Sequence, residues 1–299
     1  MEIGNRTTLP TPCVALCICV LFMFYGPQTN AQAAKEYKDV VYATADGTTL
    51  TMNIFVPEDS SRPSLFVWVH GGAWRSGSKE SMPEVFKEAG FAVASLDFRL
   101  STTAAFPAMI HDIKAAIRFL RANADRYGYK AERIAVGGSS SGGHLATLVG
   151  VSNGNKELEG TLGAYLGTSS SVQAIVDFYG ASNLTTILGQ STPHGLSVRK
   201  PALELLLGAL PENNKPLAEL ASPVYHVDPT DPPLLIIHGD QDPQMPINQA
   251  HELEGKYSAM GLDVTFDVVH GGAHGGDAFY SGKHMQGMID FLRRTIDIE

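Results

Sequence analysis

The stretch RIAVGGSSSGGHLATLVG, residues 133–150, links an apolar run to a helix-like run through a turn of glycine and serine. Its apolar pattern predicts a buried strand over residues 132–137 and a helix over residues 142–152. A buried strand followed directly by a helix is the repeating unit of folds with a parallel sheet. This stretch therefore predicts an α/β protein and places a serine-rich turn at the end of one strand.

Further predicted strands and helices alternate on both sides of this turn. The predicted strands cover residues 38–44, 48–56, 65–70, 91–97, 173–180, 233–238 and 263–270. Helices are expected from Pro107 onward and over residues 246–260 and 283–296. The alternation predicts a mostly parallel central sheet with helices on both faces. Residues 181–220 are interpreted as a short insertion over the sheet edge and the active site, and whether it acts as a mobile lid stays open.

The serine-rich turn contains the candidate nucleophile, Ser140. A sharp turn between strand and helix brings backbone segments close to the serine, so the positions two before and two after it must be small. Of the three consecutive serines, only Ser140 has glycine at both positions, Gly138 and Gly142. The alternatives are a turn that only caps a helix, and a phosphate-binding loop, although the lysine and spacing of such a loop are missing.

The segment HGGAW, residues 70–74, ends an earlier apolar strand and predicts an oxyanion hole. Glycines let a backbone approach a substrate closely, and backbone N–H groups stabilise the alkoxide that forms when a carbonyl is attacked. We expect the donors to be Gly72, Ala73 and the N–H of Ser141. His70 is interpreted as bracing this loop. For Trp74 two interpretations stand level: it stacks on a substrate, or it packs against the sheet.

The base and the acid are sought after the last two strands, because in this architecture nucleophile, acid and histidine follow one another along the chain. His274, in HGGAHGG (residues 270–276), lies in a glycine-rich loop that can bring an imidazole to Ser140. His270 is the rival, but its place at the strand end favours a side chain that points into the sheet.

The acid is expected in HGDQDP, residues 238–243, after the preceding strand. Such an acid fixes the tautomer of the histidine and stabilises the imidazolium. Asp242, further round the loop, is the preferred residue, and Asp240 is expected to brace the turn. Asp177 lies within a predicted strand and fits less well. Each loop aspartate could also be an ordinary solvated carboxylate.

Taken together, these segments resemble the α/β-hydrolase superfamily over nearly all of residues 38–299. They are most similar to secreted carboxylesterases, the branch with bifunctional feruloyl and acetyl xylan esterases, and to kynurenine-formamidase-like and hormone-sensitive-lipase-like proteins. The matching segments are HGGAW (70–74), DFR (97–99), residues 106–128, GGSSSGGHLA (137–146), HGDQDPQMP (238–246) and GGAHGG (271–276). The resemblance implies a Ser140–His274–Asp242 triad and no metal or organic cofactor. Ser141 stands where the family usually has alanine.

The first 33 residues resemble a secretory signal peptide. Arg6 precedes the apolar run VALCICVLFMFY, residues 14–25, and the small residues Ala31 and Ala33 predict cleavage after Ala33. The apolar run is shorter than the roughly 20 residues that span a bilayer, so export is preferred over a membrane anchor. The expected organisation is a signal peptide over 1–33 and a catalytic domain over 34–299, secreted or periplasmic and without stable membrane insertion after cleavage. All three cysteines lie in the predicted signal, so the mature chain would hold no disulfide and no cysteine nucleophile.

Charge and resemblance together bound the function. The formal net charge is −9, and no dense run of Lys or Arg is present, which argues against nucleic acid as a partner. The expected activity is hydrolysis of a small-molecule or oligosaccharide ester, with acetyl or feruloyl esters of plant cell-wall xylan as the substrates that the resemblance implies. The alternatives are an amidase or peptidase with the same triad, a non-catalytic binding protein of this fold, and a structural protein with coincidental motifs. The oligomeric state is left without a prediction.

Overall fold

A central β-sheet organises the molecule in the computed structural model, which describes residues 1–4, 34–58 and 62–297. Within these residues eight strands form one sheet. The strands are β1 (Ala34–Ala45), β2 (Thr48–Pro57), β3 (Ser64–Val69), β4 (Ala92–Leu96), β5 (Lys130–Ser139), β6 (Ala174–Phe178), β7 (Leu234–Gly239) and β8 (Val264–Val269).

The order of strands across the sheet is β1-β2-β4-β3-β5-β6-β7-β8. β2 pairs antiparallel with β1 and with β4, whereas every pair from β4 to β8 is parallel. The carboxyl ends of β3, β5, β7 and β8 therefore meet at one edge of the sheet. In open α/β sheets ligands bind at this edge, outside the carboxyl ends of the strands.

Helices cover both faces of the sheet. They are α1 (Ala108–Ala122), α2 (Ala124–Tyr127), α3 (Ser141–Val151), α4 (Lys156–Glu159), α5 (Ile187–Gln190), α6 (Pro193–Leu207), α7 (Lys215–Leu220), α8 (Asn248–Ala259) and α9 (Gly282–Ile296). Short 3₁₀ turns cover Lys79–Ser81, Glu84–Glu88, Pro211–Asn213, Pro223–Tyr225 and Asp277–Tyr280.

The buried residues of β3 show how one strand serves two cores. Val67 and Val69 pack with side chains of α1 and α3 on one face of the sheet. Phe66 and Trp68 point to the other face and pack with side chains of α9. Successive side chains of a strand point to opposite faces, so a strand buried on both sides reads as a continuous apolar run. This is why LFVWVH carries no polar alternation.

The predicted α/β fold with a mostly parallel sheet is confirmed. The predicted element boundaries differ from the observed ones mainly at the ends of β1 and β5, which both start earlier than expected. The proposed signal peptide falls almost entirely on residues 5–33, which lie outside the described residues. Among the residues that the structure describes, no helix combines the length and the apolar character needed to cross a membrane.

Candidate active site

Ser140 lies at the tip of a sharp turn between β5 and α3. Its backbone angles are φ 55° and ψ −120°, a conformation that residues other than glycine rarely adopt. The turn holds because both flanking positions lack a side chain. A Cβ atom on Gly138 would lie 2.5 Å from the carbonyl oxygen of Val69, and one on Gly142 would lie 2.1 Å from the same oxygen. The requirement for small residues at these two positions, inferred from the sequence, thus has a direct steric cause.

His274 lies in the loop after β8 and connects the serine to an acid. Its Nε2 atom is 2.9 Å from the Oγ atom of Ser140, and its Nδ1 atom is 2.6 Å from Oδ2 of Asp242. The ring is held at its edge by Tyr179, with ring centroids 4.9 Å apart. With Nδ1 donating to the carboxylate, Nε2 is free to accept the serine proton. The structure thus brings together the three residues that the sequence singled out.

Asp242 lies in the loop after β7, and its side chain is fully buried. Its Oδ1 atom accepts hydrogen bonds from the backbone N–H groups of Gln244 and Met245, at 2.8 and 2.9 Å. Burial alone would raise the pKa of this carboxyl, but the histidine partners His238 and His274 outweigh it and hold the pKa below its ordinary value. Asp242 is therefore a carboxylate at neutral pH despite its burial.

His238 is a neighbour of the acid that sequence reasoning did not select. Its Nε2 atom lies 3.4 Å from Oδ2 of Asp242 and 3.0 Å from the carbonyl oxygen of Met245. The side chain is fully buried at the end of β7. The motif HGDQD contained this residue, but the spacing could not show that it turns toward the acid rather than toward solvent.

A second histidine–aspartate pair lies beside the first and faces solvent. Nδ1 of His270 is 2.9 Å from Oδ2 of Asp240, and the backbone N–H of Gly271 donates to Oδ1 of Asp240. Asp240 therefore braces the turn, as expected. His270 differs from the expectation: its side chain is 79% exposed instead of pointing into the sheet. His270 directly follows the last residue of β8, Val269, and its imidazole points outward.

The loop after β3 faces Ser140 with a strained backbone. Gly72 and Ala73 have φ values of 117° and 53°, and the carbonyl of Gly72 accepts hydrogen bonds from the N–H groups of Arg75 and Ser76. Within residues 34–58 and 62–297, the N–H groups of Gly72, Ala73 and Ser141 donate no hydrogen bond. Unused backbone donors beside a serine fit the geometry of an oxyanion hole.

Trp74 corrects one interpretation. It is completely buried, and its Nε1 atom donates to Nδ1 of His144 at 2.9 Å. Burial lowers the pKa of His144 to about 4, so its imidazole is neutral and accepts this bond. The packing interpretation holds, and Trp74 is not available to a substrate. His70 has the bracing position expected of it, stacked on Phe98 with its Nδ1 atom 2.7 Å from the carbonyl oxygen of Gly71.

A cavity of about 310 Å³ opens above Ser140. The lining residues come from the end of β5, from the loops after β3, β5, β6, β7 and β8, and from α6: Gly71, Gly72, Ala73, Arg75, Ser76, Ser139, Ser140, Tyr179, Val198, Arg199, Gln244 and His274. The insertion predicted over the active site is therefore in place, since α6 supplies two of these residues. Neither in this cavity nor anywhere else in the described part of the chain do three or more His, Cys, Asp or Glu side chains form a group that could hold a metal ion.

Helix α6 is fixed to the loop that carries the acid. Thr192 caps the helix and donates its hydroxyl to the carbonyl of Pro243 at 2.7 Å. Arg199, one of the least exposed cationic side chains, donates from Nη2 to the carbonyl of Gln244 at 2.7 Å. Sequence reasoning missed Arg199, because no motif marks it and a charged residue in an insertion is usually solvated.

Known proteins with similar sequences and structures share this fold. A carbohydrate esterase from gut microbiota, in a truncated form, has a TM-score of 0.81 and 33% identity, with 90% of this chain and 98% of that chain covered. The bifunctional GH43-CE protein of Bacteroides eggerthii has a TM-score of 0.78 and 34% identity, with 87% of this chain and 35% of that chain covered.

Among curated relatives, Esterase LipC of Mycobacterium tuberculosis is 29% identical over 218 residues, covering 71% of this chain and 53% of the relative. The chain spans about half the length of the curated relatives it matches. The BD-FAE family model matches residues 52–257, more than half of the chain. With its eight-stranded sheet and the turn at Ser140, the chain belongs to the BD-FAE family of α/β-hydrolases.

Proposed function

We propose that this protein is a serine esterase that hydrolyses carboxylic esters through an acyl-enzyme. The observation that carries the proposal is the continuous chain of hydrogen bonds from Asp242 through His274 to Ser140, which ends in a cavity. A serine hydroxyl becomes a nucleophile when an oriented base removes its proton. The similar proteins described as esterases support the same reaction class.

Each side chain then has one role in a two-step acyl transfer. Ser140 attacks the ester carbonyl while His274 takes its proton and gives it to the departing alcohol. The N–H groups of Gly72, Ala73 and Ser141 stabilise the oxyanion. Water, deprotonated by His274, then hydrolyses the acyl-enzyme, and Asp242 stabilises the imidazolium in both steps. This route needs no metal and no organic cofactor.

The proposed substrates are short or aromatic acyl esters on carbohydrate, with acetyl and feruloyl groups of xylan as the leading examples. The similarity to proteins described as carbohydrate esterases supports this class. A cavity of about 310 Å³ is near the lower end of ligand sites, which favours a short or single-ring acyl group over a long chain. Export through residues 1–33 forms part of the proposal, because a polysaccharide substrate lies outside the cell.

A Ser140→Ala variant tests the nucleophile. We expect hydrolysis of a short aryl acetate to fall by at least about 10³-fold while the melting temperature stays close to that of the native protein. A fluorophosphonate probe should attach to Ser140 in the native protein, as read by peptide mass spectrometry. Ser197→Ala, at an exposed serine of α6, is the matched control and should keep full activity. An active, folded Ser140→Ala variant would contradict the proposal.

A substrate panel tests the acyl group and the bond. Acetylated xylan, methyl ferulate and aryl esters of two to twelve carbons are compared with an anilide of matched acyl group. Release of acetate or ferulate from xylan oligomers supports the carbohydrate role. Activity confined to long acyl chains would contradict it, and anilide rates equal to ester rates would favour an amidase.

A further inference from the structure

Arg199 is a buried cation in the wall of the active-site cavity. The residue is only 2% exposed, yet it lines the cavity together with Ser140 and His274. Burial lowers its pKa to about 10, and attraction by Asp242 acts in the opposite direction. The guanidinium therefore stays protonated at neutral pH and carries its charge in a poorly solvated place.

Most hydrogen-bonding capacity of this guanidinium is unused. A guanidinium has five N–H donors, and in the described residues Arg199 makes one hydrogen bond, from Nη2 to the carbonyl of Gln244. Its Nε atom is buried and has no partner. No carboxylate within the described residues lies within ion-pair distance of it. A buried charge without a partner is costly, so such a group is poised to accept an anionic partner from outside the chain.

The rest of the cavity has the same sign of charge. Arg75, from the loop after β3, also lines it, and within residues 34–58 and 62–297 its side chain makes neither a hydrogen bond nor an ion pair. No aspartate or glutamate is among the lining residues. The chain as a whole has a net charge of −9. Two arginines without a carboxylate in ion-pair distance, among the described residues, therefore make the cavity wall locally positive in an acidic protein.

From this geometry we infer that the preferred substrates carry a carboxylate close to the scissile ester, held by Arg199 with help from Arg75. The inference rests on the proposed function and names a narrower substrate class for the same site. Arginine binds carboxylates through paired, charge-assisted hydrogen bonds, which are stronger than hydrogen bonds to neutral hydroxyls. The carboxylate can belong to the acyl group, as in a dicarboxylic half-ester, or to the alcohol, as in a uronic acid or a carboxylated ring.

Two matched pairs of esters separate these sources. On the acyl side, the 4-nitrophenyl half-ester of succinic acid is compared with 4-nitrophenyl butyrate, with spontaneous hydrolysis subtracted. On the alcohol side, 4-carboxyphenyl acetate is compared with phenyl acetate. The readout is the ratio of kcat/KM for the anionic ester to kcat/KM for its neutral partner. A loss of activity common to both esters leaves this ratio unchanged, so a purely structural role of Arg199 would not move it.

In at least one pair we expect the ratio to fall by about tenfold or more in Arg199→Met, because a charge-assisted hydrogen bond is lost. Arg199→Lys should restore part of the ratio. Lys200→Met, at the exposed neighbouring position of α6, is the matched control and should keep the native ratio within about twofold. Ratios in Arg199→Met that match the native ones in both pairs would overturn the inference.

A measurement on the native protein covers the case in which Arg199→Met does not fold. Succinate should inhibit hydrolysis of phenyl acetate competitively, at a concentration at least about tenfold lower than its neutral diamide requires. Equal inhibition by the two compounds would overturn the inference. If neutral esters are hydrolysed without any preference for a carboxylate, the inference fails and the proposed function stands. If no ester in either pair is hydrolysed, the proposed function itself fails.

Discussion

Two aspartate–histidine pairs bridge the loops after β7 and β8. They have the same residue types but differ in exposure and in whether they contact Ser140. In the outer pair, His270 and Asp240 are 2.9 Å apart, with side chains 79% and 31% exposed. In the inner pair, His274 and Asp242 are 2.6 Å apart, with side chains 13% and 0% exposed. Only the inner pair reaches Ser140.

The difference shows that burial and direction, more than residue type, separate a catalytic arrangement from a surface ion pair. Exposed ion pairs are screened by water and contribute little to stability. A buried carboxylate interacts more strongly with its histidine, because the surrounding dielectric is low, and so fixes the orientation of the ring. The outer pair joins a turn to the end of β8. The inner pair is positioned for proton transfer from Ser140.

Replacing each histidine in turn should give the largest difference between the two pairs. His274→Ala should lower kcat/KM for a short aryl ester by about 10⁴-fold or more, because no other base among the described residues lies within hydrogen-bond distance of the Ser140 hydroxyl. His270→Ala should stay within about threefold of the native value, since its ring faces solvent. Steady-state kinetics on both variants makes the test, with circular dichroism as the check of folding. Equal losses in the two variants would contradict the assignment of His274.

Replacing each of the two carboxylates in turn tests the same difference between the pairs, with a smaller expected loss of activity. Asp242→Asn should cost about 10²- to 10⁴-fold in kcat, because the amide no longer holds the useful tautomer of His274. Asp240→Asn should change kcat by less than about fivefold, since it only loosens an exposed turn. The measurement is kcat under substrate saturation. A larger loss in Asp240→Asn would transfer the role of acid to the outer pair.

The inner carboxylate should also leave a signature in acid stability. Burial alone would raise the pKa of Asp242. The hydrogen bonds from its histidine partners outweigh burial, so the pKa in the folded protein lies below the ordinary value. The stabilisation is then present above about pH 4, the unfolded value, and is lost as the pH falls through the lower folded value. The free energies of unfolding of native protein and Asp242→Asn should therefore differ near neutral pH, and the difference should shrink progressively as the pH falls below about 4. Urea titrations across this range make the test, and a gap that is constant with pH would contradict it.

Much of this arrangement could be predicted from the sequence, because local rules fix it. The glycines around Ser140 are dictated by close backbone contacts, and the parallel sheet brings strand ends together, so Asp242 and His274 could be selected from their places after β7 and β8. Side-chain direction could not be predicted. His270 leaves the strand toward solvent and Trp74 turns into the core, and both outcomes depend on packing between distant segments.

The insertion was the least predictable part. Its position over the site follows from the long gap between β6 and β7, but no periodic pattern showed that Arg199 would be drawn into the cavity wall by the carbonyl of Gln244. Contacts of this kind join residues far apart in the chain, and only the folded structure reveals them.

Ser141 and Asp242 both bury a polar side chain, but only the carboxylate of Asp242 has hydrogen-bond partners among the described residues. Ser141 is 1% exposed, and its Oγ atom has no hydrogen bond within the described residues, whereas the carboxylate of Asp242 has several. A buried hydroxyl without a partner costs about 1–3 kcal/mol. Ser141→Ala removes that hydroxyl and keeps the backbone N–H proposed for the oxyanion hole.

We therefore expect Ser141→Ala to raise the free energy of unfolding by up to about 1 kcal/mol, since part of the penalty is offset by lost contacts, with kcat within about twofold of native. Thermal melting and urea titration measure the first quantity, and ester kinetics the second. Ser197→Ala, at an exposed serine, is the matched control and should leave stability nearly unchanged. A clear loss of stability in Ser141→Ala would show that this hydroxyl has a partner, and the contrast between satisfied and unsatisfied burial would then not hold at this turn.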